Sequence, residues 1–117
     1  MKNKTKATAM ELKDFIVERL EYGKGVDIKI IETKSKSDLA DFIIVVTGTS
    51  GRHVAFLGES VAEDLKHNYE MNSSGIRIEG LQEASWVLLD AGSVLVHVFK
   101  PETRERYRIE DIWEKKQ

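Results

Sequence analysis

The first periodicity along the chain is helical. In MELKDFIVERLEYG the apolar residues Leu12, Phe15, Ile16 and Leu20 recur at helical spacing, with Thr8 placed to cap the start and Gly23 and Gly25 as stop signals. This predicts an amphipathic helix over residues 9–22. The period then falls to two: in VDIKIIE, Val26, Ile28 and Ile30 alternate with Asp27 and Lys29, the signature of a half-buried strand. After a polar connection, TKSKSDLA, the run DFIIVVT has no polar alternation, as expected of a central strand covered on both faces. GRHVAFLGESVAEDLKHNYE returns to helical spacing, with Val54, Leu57, Val61 and Leu65 on one side and Glu63 and Asp64 on the other, and MNSSG ends it.

The last third of the chain reads as strands. IRIEG is a short strand, and WVLLDAGSVLVHVF reads as a hairpin around a tight turn at Ala91 and Gly92. KPETRE reads as a second turn, with Pro101 where it breaks no ladder, and RYRIEDIWEKK as a short strand with one helical turn. The expected fold is therefore α/β: a single domain with a mixed sheet of about five strands and two main helices. A two-residue turn at Ala91 and Gly92 sets Leu88 opposite Leu95 and Trp86 opposite His97 on one side. On the other it sets Val87 opposite Val96 and Leu89 opposite Val94. Both sides of the hairpin are apolar, and two helices do not suffice to cover both faces of such a sheet. Either the first helix covers the side carrying Trp86, Leu88, Leu95, His97 and Phe99, or part of that surface is left for a partner.

Composition narrows the function. A chain of 117 residues is one domain by length and buries roughly 65% of its unfolded surface. Residues 1–8, with Lys2, Lys4 and Lys6 and no apolar periodicity, are expected to be a flexible basic tail before a domain over 9–117. A net charge of −2 argues against a surface built throughout to hold nucleic acid. With no cysteine, disulfides, zinc-thiolate sites and thiol catalysis are excluded. The apolar runs FIIVV and VLVHVF fall far short of the ~20 residues that span a bilayer, and the N-terminus lacks a signal-peptide core, so a cytoplasmic location is expected.

The candidate chemistry centres on TGTSGRH, a strand end that feeds a helix. Gly48, Thr49, Ser50 and Gly51 would aim backbone N–H groups and a helix dipole at an anion, and Arg52 would add a forked donor. The spacing matches neither established nucleotide fingerprint, and capping of the helix by Ser50 or Thr49 is the commoner use of such residues. A nucleotidyltransferase would need two carboxylates two residues apart on a neighbouring strand to hold its metal ions. Asp38 and Asp41 are three apart and precede the strand, Glu63 and Asp64 are adjacent on a helix, and Asp90 stands alone. His53, His67 and His97 share no metal-ligand spacing, and no serine sits in a nucleophile elbow. The residues support neither catalysis nor a cofactor or metal site.

Together, SDLADFIIVVTGTSGRHV, GIRIEG, ASWVLLDAGSVLVHVF and RERYRIEDIW strongly resemble the Iojap family, also called the ribosomal silencing factor RsfS family, over about residues 10–113. The resemblance implies a fold like that of nucleotidyltransferases without the catalytic carboxylates. It also implies a protein that binds large-subunit ribosomal protein fourteen and blocks joining of the small subunit, repressing translation. The alternatives are a large-subunit assembly factor, as for organelle relatives, and a nucleotide-binding protein. A homodimer is expected when the protein is free, with little direct nucleic-acid contact and no membrane. The expected partner-binding residues are Trp86, Leu88, Leu95, His97 and Phe99, with Asp90, Arg52 and Tyr107 as polar rim or loop support. Two positions depart from the family pattern: Ser93 stands where many members have an acidic residue, and Ala91 where they have a bulky one.

Overall fold

The structure is a computed structural model that describes residues 8–33, 40–69 and 75–115. Residues 1–7 of the expected tail over residues 1–8, most of the polar connection after the first strand and most of MNSSG lie outside the described residues. Thr8 belongs to the fold rather than to a tail. Its Oγ1 accepts the Glu11 N–H at 3.0 Å, and the Glu11 carboxylate accepts the Thr8 N–H at 3.0 Å. This capping box satisfies two donors that the helix start would leave unpaired. It opens α1, Ala9–Tyr22, which buries Leu12, Ile16 and Leu20. There follow β1 (Val26–Glu32), β2 (Phe42–Thr47), α2 (Gly51–Tyr69), β3 (Arg77–Glu79), β4 (Trp86–Asp90), β5 (Val94–Phe99), α3 (Pro101–Tyr107) and α4 (Ile109–Lys115).

The five strands form one mixed sheet in the order β1-β2-β5-β4-β3. β2 and β5 are parallel, and the other three pairs are antiparallel. All six residues of β2 are buried, as its unbroken apolar run implies. The pleat sends Phe42, Ile44 and Val46 to one face, where they join Val87, Leu89, Val94, Val96 and Val98 under α1 and α2. Arg19 and Asp64, 3.0 Å apart, tie the two helices together. Both main helices therefore lie on the same face, and α1 does not cover the side that carries Trp86.

The hairpin register differs from the expected one. Trp86 faces Phe99, Val87 faces Val98, Leu88 faces His97 and Leu89 faces Val96. The turn sits one residue later, at Gly92 and Ser93, closed by the Ala91 N–H donating to the Val94 carbonyl at 3.0 Å. Gly92 takes φ +85°, which is costly for the alanine that the other register would put there. The Asp90 carboxylate supports the turn by accepting the Gly92 N–H at 2.9 Å. Because each partner moves by two positions, every side chain stays on its expected face.

The C-terminus is a second correction. KPETRE is the start of α3 rather than a turn, and the described residues of RYRIEDIWEKK include no strand. Lys100 takes an extended cap conformation and Pro101 is among the first helical residues, where its fixed φ suits a helix and its missing N–H costs nothing. Glu102 in the first turn and Arg104 and Arg106 in the last match the helix dipole. Arg108, at φ +45°, separates α3 from α4.

These two short helices partly cover the second sheet face, where Ile31, Ile43, Val45 and Phe99 are buried with Trp86, Leu95, Ile109 and Trp113 packed around them. One guanidinium holds them there. Arg104 Nε donates to Glu110 at 2.9 Å, and Nη1 donates to the Asp27 carbonyl at 2.7 Å and to Thr47 Oγ1 at 2.8 Å. The Arg104 and Glu110 side chains are only 14% and 16% exposed. Replacing Arg104 with alanine would leave the Glu110 carboxylate buried without its cation, so Arg104→Ala is expected to cost about 3–5 kcal/mol in urea unfolding. An unchanged midpoint would contradict this anchoring role.

Candidate partner-binding face

The alternation of β4 and β5 puts Trp86, Leu88 and Asp90, together with Leu95, His97 and Phe99, on the sheet face that α3 and α4 cover in part. Phe99 is 0% exposed and forms the floor, so it supports the surface and does not form its contact layer. The Trp86 ring packs on Phe99 at 4.9 Å between centroids, on Tyr107 at 5.0 Å and on His97 at 5.9 Å. Tyr107 reaches it from the end of α3 and stays 49% exposed. Trp86, Leu88, Leu95 and His97 are half-buried.

Trp86 Nε1–H donates to His97 Nδ1 at 3.0 Å. An indole nitrogen only donates, so His97 Nδ1 must be the unprotonated acceptor and Nε2 must carry the ring proton. Burial pushes the His97 pKa down to about 4, against an opposing pull from the Glu110 carboxylate. The ring is neutral at physiological pH.

An open hollow of about 510 Å³ adjoins the ring, lined by Trp86, Tyr107, Gly80, Gln82, Glu83 and Thr103 among others. Gly80 is required there: at φ +92°, a Cβ on it would stand 2.3 Å from the Trp86 carbonyl oxygen. Smaller grooves run past Leu88 to Arg77, Glu79 and Asp90. The rim of the face thus carries the carboxylates Glu79, Glu83 and Asp90, with Arg77 the cation beside Leu88. Gly80, Gln82 and Glu83 lie in the loop between β3 and β4, which has no periodicity that assigns it a side, and Glu79 ends β3, whose three residues are too few to fix one. Arg52 is exposed on the first turn of α2, the helix packed against the other sheet face.

Thr49, Ser50 and His53 of the TGTSGRH stretch direct their polar groups to partners within the protein. Ser50 Oγ accepts the His53 N–H at 3.2 Å, so the serine caps α2, and the Thr49 N–H donates to His53 Nδ1 at 2.9 Å. His53 Nε2 then donates to the Gly23 carbonyl at 2.8 Å, which ties the loop to the end of α1. A second hollow of about 440 Å³ lies beyond this strand end, lined by Asp27, Thr47, Thr49, Arg104 and Arg108 among others. Both its guanidinium groups are paired with carboxylates: Arg104 with Glu110, and Arg108 with Glu105 and Asp111.

The sequence profile of the family described as RsfS, ribosomal silencing factor during starvation, matches residues 6–117. The chain belongs to the RsfS family. It is 34% identical over 112 residues to the ribosomal silencing factor RsfS of Zymomonas mobilis, covering 96% of this chain and 82% of that protein. A crystal structure of a Chromobacterium violaceum protein superposes with a TM-score of 0.78 at 34% identity, covering 92% of this chain and 88% of that one. The mouse mitochondrial assembly of ribosomal large subunit protein 1 is 30% identical over 100 residues, which are 86% of this chain and 44% of that protein. As an RsfS family member the chain is assigned to ribosome-linked translation regulation, and its five-stranded α/β fold agrees with that of its structural neighbours. Among the described residues no helix is long and apolar enough to cross a membrane.

The depressed His97 pKa makes stability depend on pH. The folded ring takes up its proton near pH 4 and the unfolded one near 6.5, so the contribution is complete above pH 6.5 and is lost as pH falls toward 4. Between about pH 7.5 and pH 5 the loss should be on the order of 2 kcal/mol. Urea midpoints at the two pH values should show His97→Gln lacking this part of the dependence. Equal pH dependence in parent and variant would contradict the assignment.

Proposed function

We propose that the protein is a ribosomal silencing factor that docks on the large ribosomal subunit through the Trp86 face, against ribosomal protein fourteen, and so blocks association with the small subunit. The observation that carries this reading is a sheet face left half-covered, with an indole anchored by three rings and a fixed hydrogen bond. Pre-positioned aromatic residues of this kind dominate interface energies. The carboxylates Glu79, Glu83 and Asp90 at its rim suit a basic partner surface, as ribosomal proteins commonly present. Leu88 and Leu95 extend the apolar contact, while Arg52, on the other side of the sheet, is left to a role outside it.

The reading is of a binding protein rather than an enzyme, without cofactor or metal, acting in the cytoplasm where subunits join. Its support is that Ser50, Thr49 and His53 serve as caps and ties, and that the cations of the neighbouring hollow are neutralised by carboxylates. A role in large-subunit assembly is the second reading, favoured by the name of the mouse relative. It would use the same face.

Added to purified subunits, the protein should co-sediment with the large subunit and lower the yield of joined ribosomes, with a shallow salt dependence because the contact is with protein. Unchanged joining at saturating protein would refute the proposal. The free protein should self-associate weakly through the same apolar face, and ribosomal protein fourteen should compete with that dimer. A dimer that survives intact in the complex would show that the two surfaces differ.

A further inference from the structure

We infer that His97 is a positioning residue: by accepting the Trp86 indole N–H on Nδ1 it fixes the orientation of the ring presented to the partner, without itself forming the contact. The inference rests on the docking reading above.

The geometry leaves the indole few alternatives. Phe99 lies beneath it and Tyr107 beside it, and these ring contacts hold the Trp86 plane without deciding which edge points inward. The hydrogen bond to His97 decides that edge. His97 is in turn held by its neighbours: it lies parallel to Phe99, at 10° and 6.0 Å between centroids, and pairs across the sheet with Val45 of β2 and Leu88 of β4. Neither strand neighbour can compete for the acceptor. Of the charged and titratable groups on the packed elements, Glu110 of α4 is the carboxylate that acts on His97 and is already bound by Arg104 of α3, while Tyr107 of α3 packs against the indole. Protonation of Nδ1 would set one N–H against another and release the ring, so the surface holds a single shape wherever His97 is neutral.

A phenylalanine at position 97 would fill the same space without an acceptor, whereas the side-chain oxygen of glutamine could still take the indole N–H. The test uses full-length protein labelled with nitrogen-15. Its two indole N–H signals, from Trp86 and Trp113, are assigned with Trp86→Phe, and affinity for purified large subunits is measured alongside. In the parent, His97 Nδ1 should read as unprotonated and Nε2 as protonated, and the Trp86 indole proton should exchange slowly with solvent. His97→Phe should speed that exchange and weaken large-subunit binding at least tenfold. His97→Gln should rescue both, with binding within about threefold of the parent.

Parental affinity in His97→Phe would overturn the inference. Weak binding by His97→Gln with a protected indole would overturn it too, by making His97 a direct contact. Should His97→Phe fail to fold, the parent ring spectrum and His97→Gln still decide, since the opposite tautomer alone is enough to refute the hydrogen bond. If the parent itself does not bind large subunits, the docking reading fails while the spectra continue to report on the Trp86–His97 pair.

Discussion

A single guanidinium organises the half of the molecule that the two long helices do not reach. α1 and α2 spend their apolar stripes on one face of the sheet, leaving the other face, largely apolar on β2 and β5, in need of cover. Arg104 supplies it by joining α3 to the Glu110 carboxylate of α4, the β1 backbone at Asp27 and the Thr47 hydroxyl at the end of β2. Such a pair is costly to bury and costlier to break, because removing one charge strands the other. Among the described residues the buried Glu110 Oε1 finds no hydrogen-bond partner, which sharpens the carboxylate's dependence on the Arg104 bond to Oε2. With α3 so fixed, Tyr107 lies against Trp86.

The cover is partial, and that divides the protein in two. Val87, Leu89, Val94, Val96 and Val98 are buried on the helical face, while Trp86, Leu88, Leu95 and His97 on the opposite face remain half-exposed. The first set carries stability through area removed from water. The second leaves apolar surface accessible, and it is on this surface that the proposed docking relies. The strand-end loop that could have gripped a phosphate instead uses Ser50 and His53 to fasten α2 to the end of α1.

How far the sequence disclosed this depends on the kind of signal. A period of 3.6 places α1 and α2, with Thr8 as the cap of α1, and an unbroken apolar run places β2; the period of two locates β1 but not its buried side, since Val26 and Ile30 are exposed and Ile31 is buried. The hairpin register turns on one backbone conformation: Gly92 at φ +85° moves the turn by one residue, and since each partner shifts by two, the face assignments survive. α3 was missed because it is short and buries no residue; its only marks are Pro101 near the start and charges that suit its dipole. That omission also hid how Tyr107 reaches the site, since as a strand residue its facing would depend on strand order. The candidate face was readable as the set Trp86, Leu88, Leu95, His97 and Phe99. That Phe99 is floor rather than contact, and that Glu79 and Glu83 form the rim, required the packing of α3, the pairing of β3 with β4 and the path of the loop between them.

The proposed docking requires that Trp86 serve a partner rather than the core. Trp86→Ala separates the two roles when its thermal midpoint and its affinity for purified large subunits are measured on the same preparation. A docking role predicts a folded protein whose binding is weaker by about 2 kcal/mol or more, with a smaller loss of folding stability because the ring is half-exposed. A loss of about 3–5 kcal/mol in stability, as for a core aromatic, or undiminished binding by the folded variant, would contradict it.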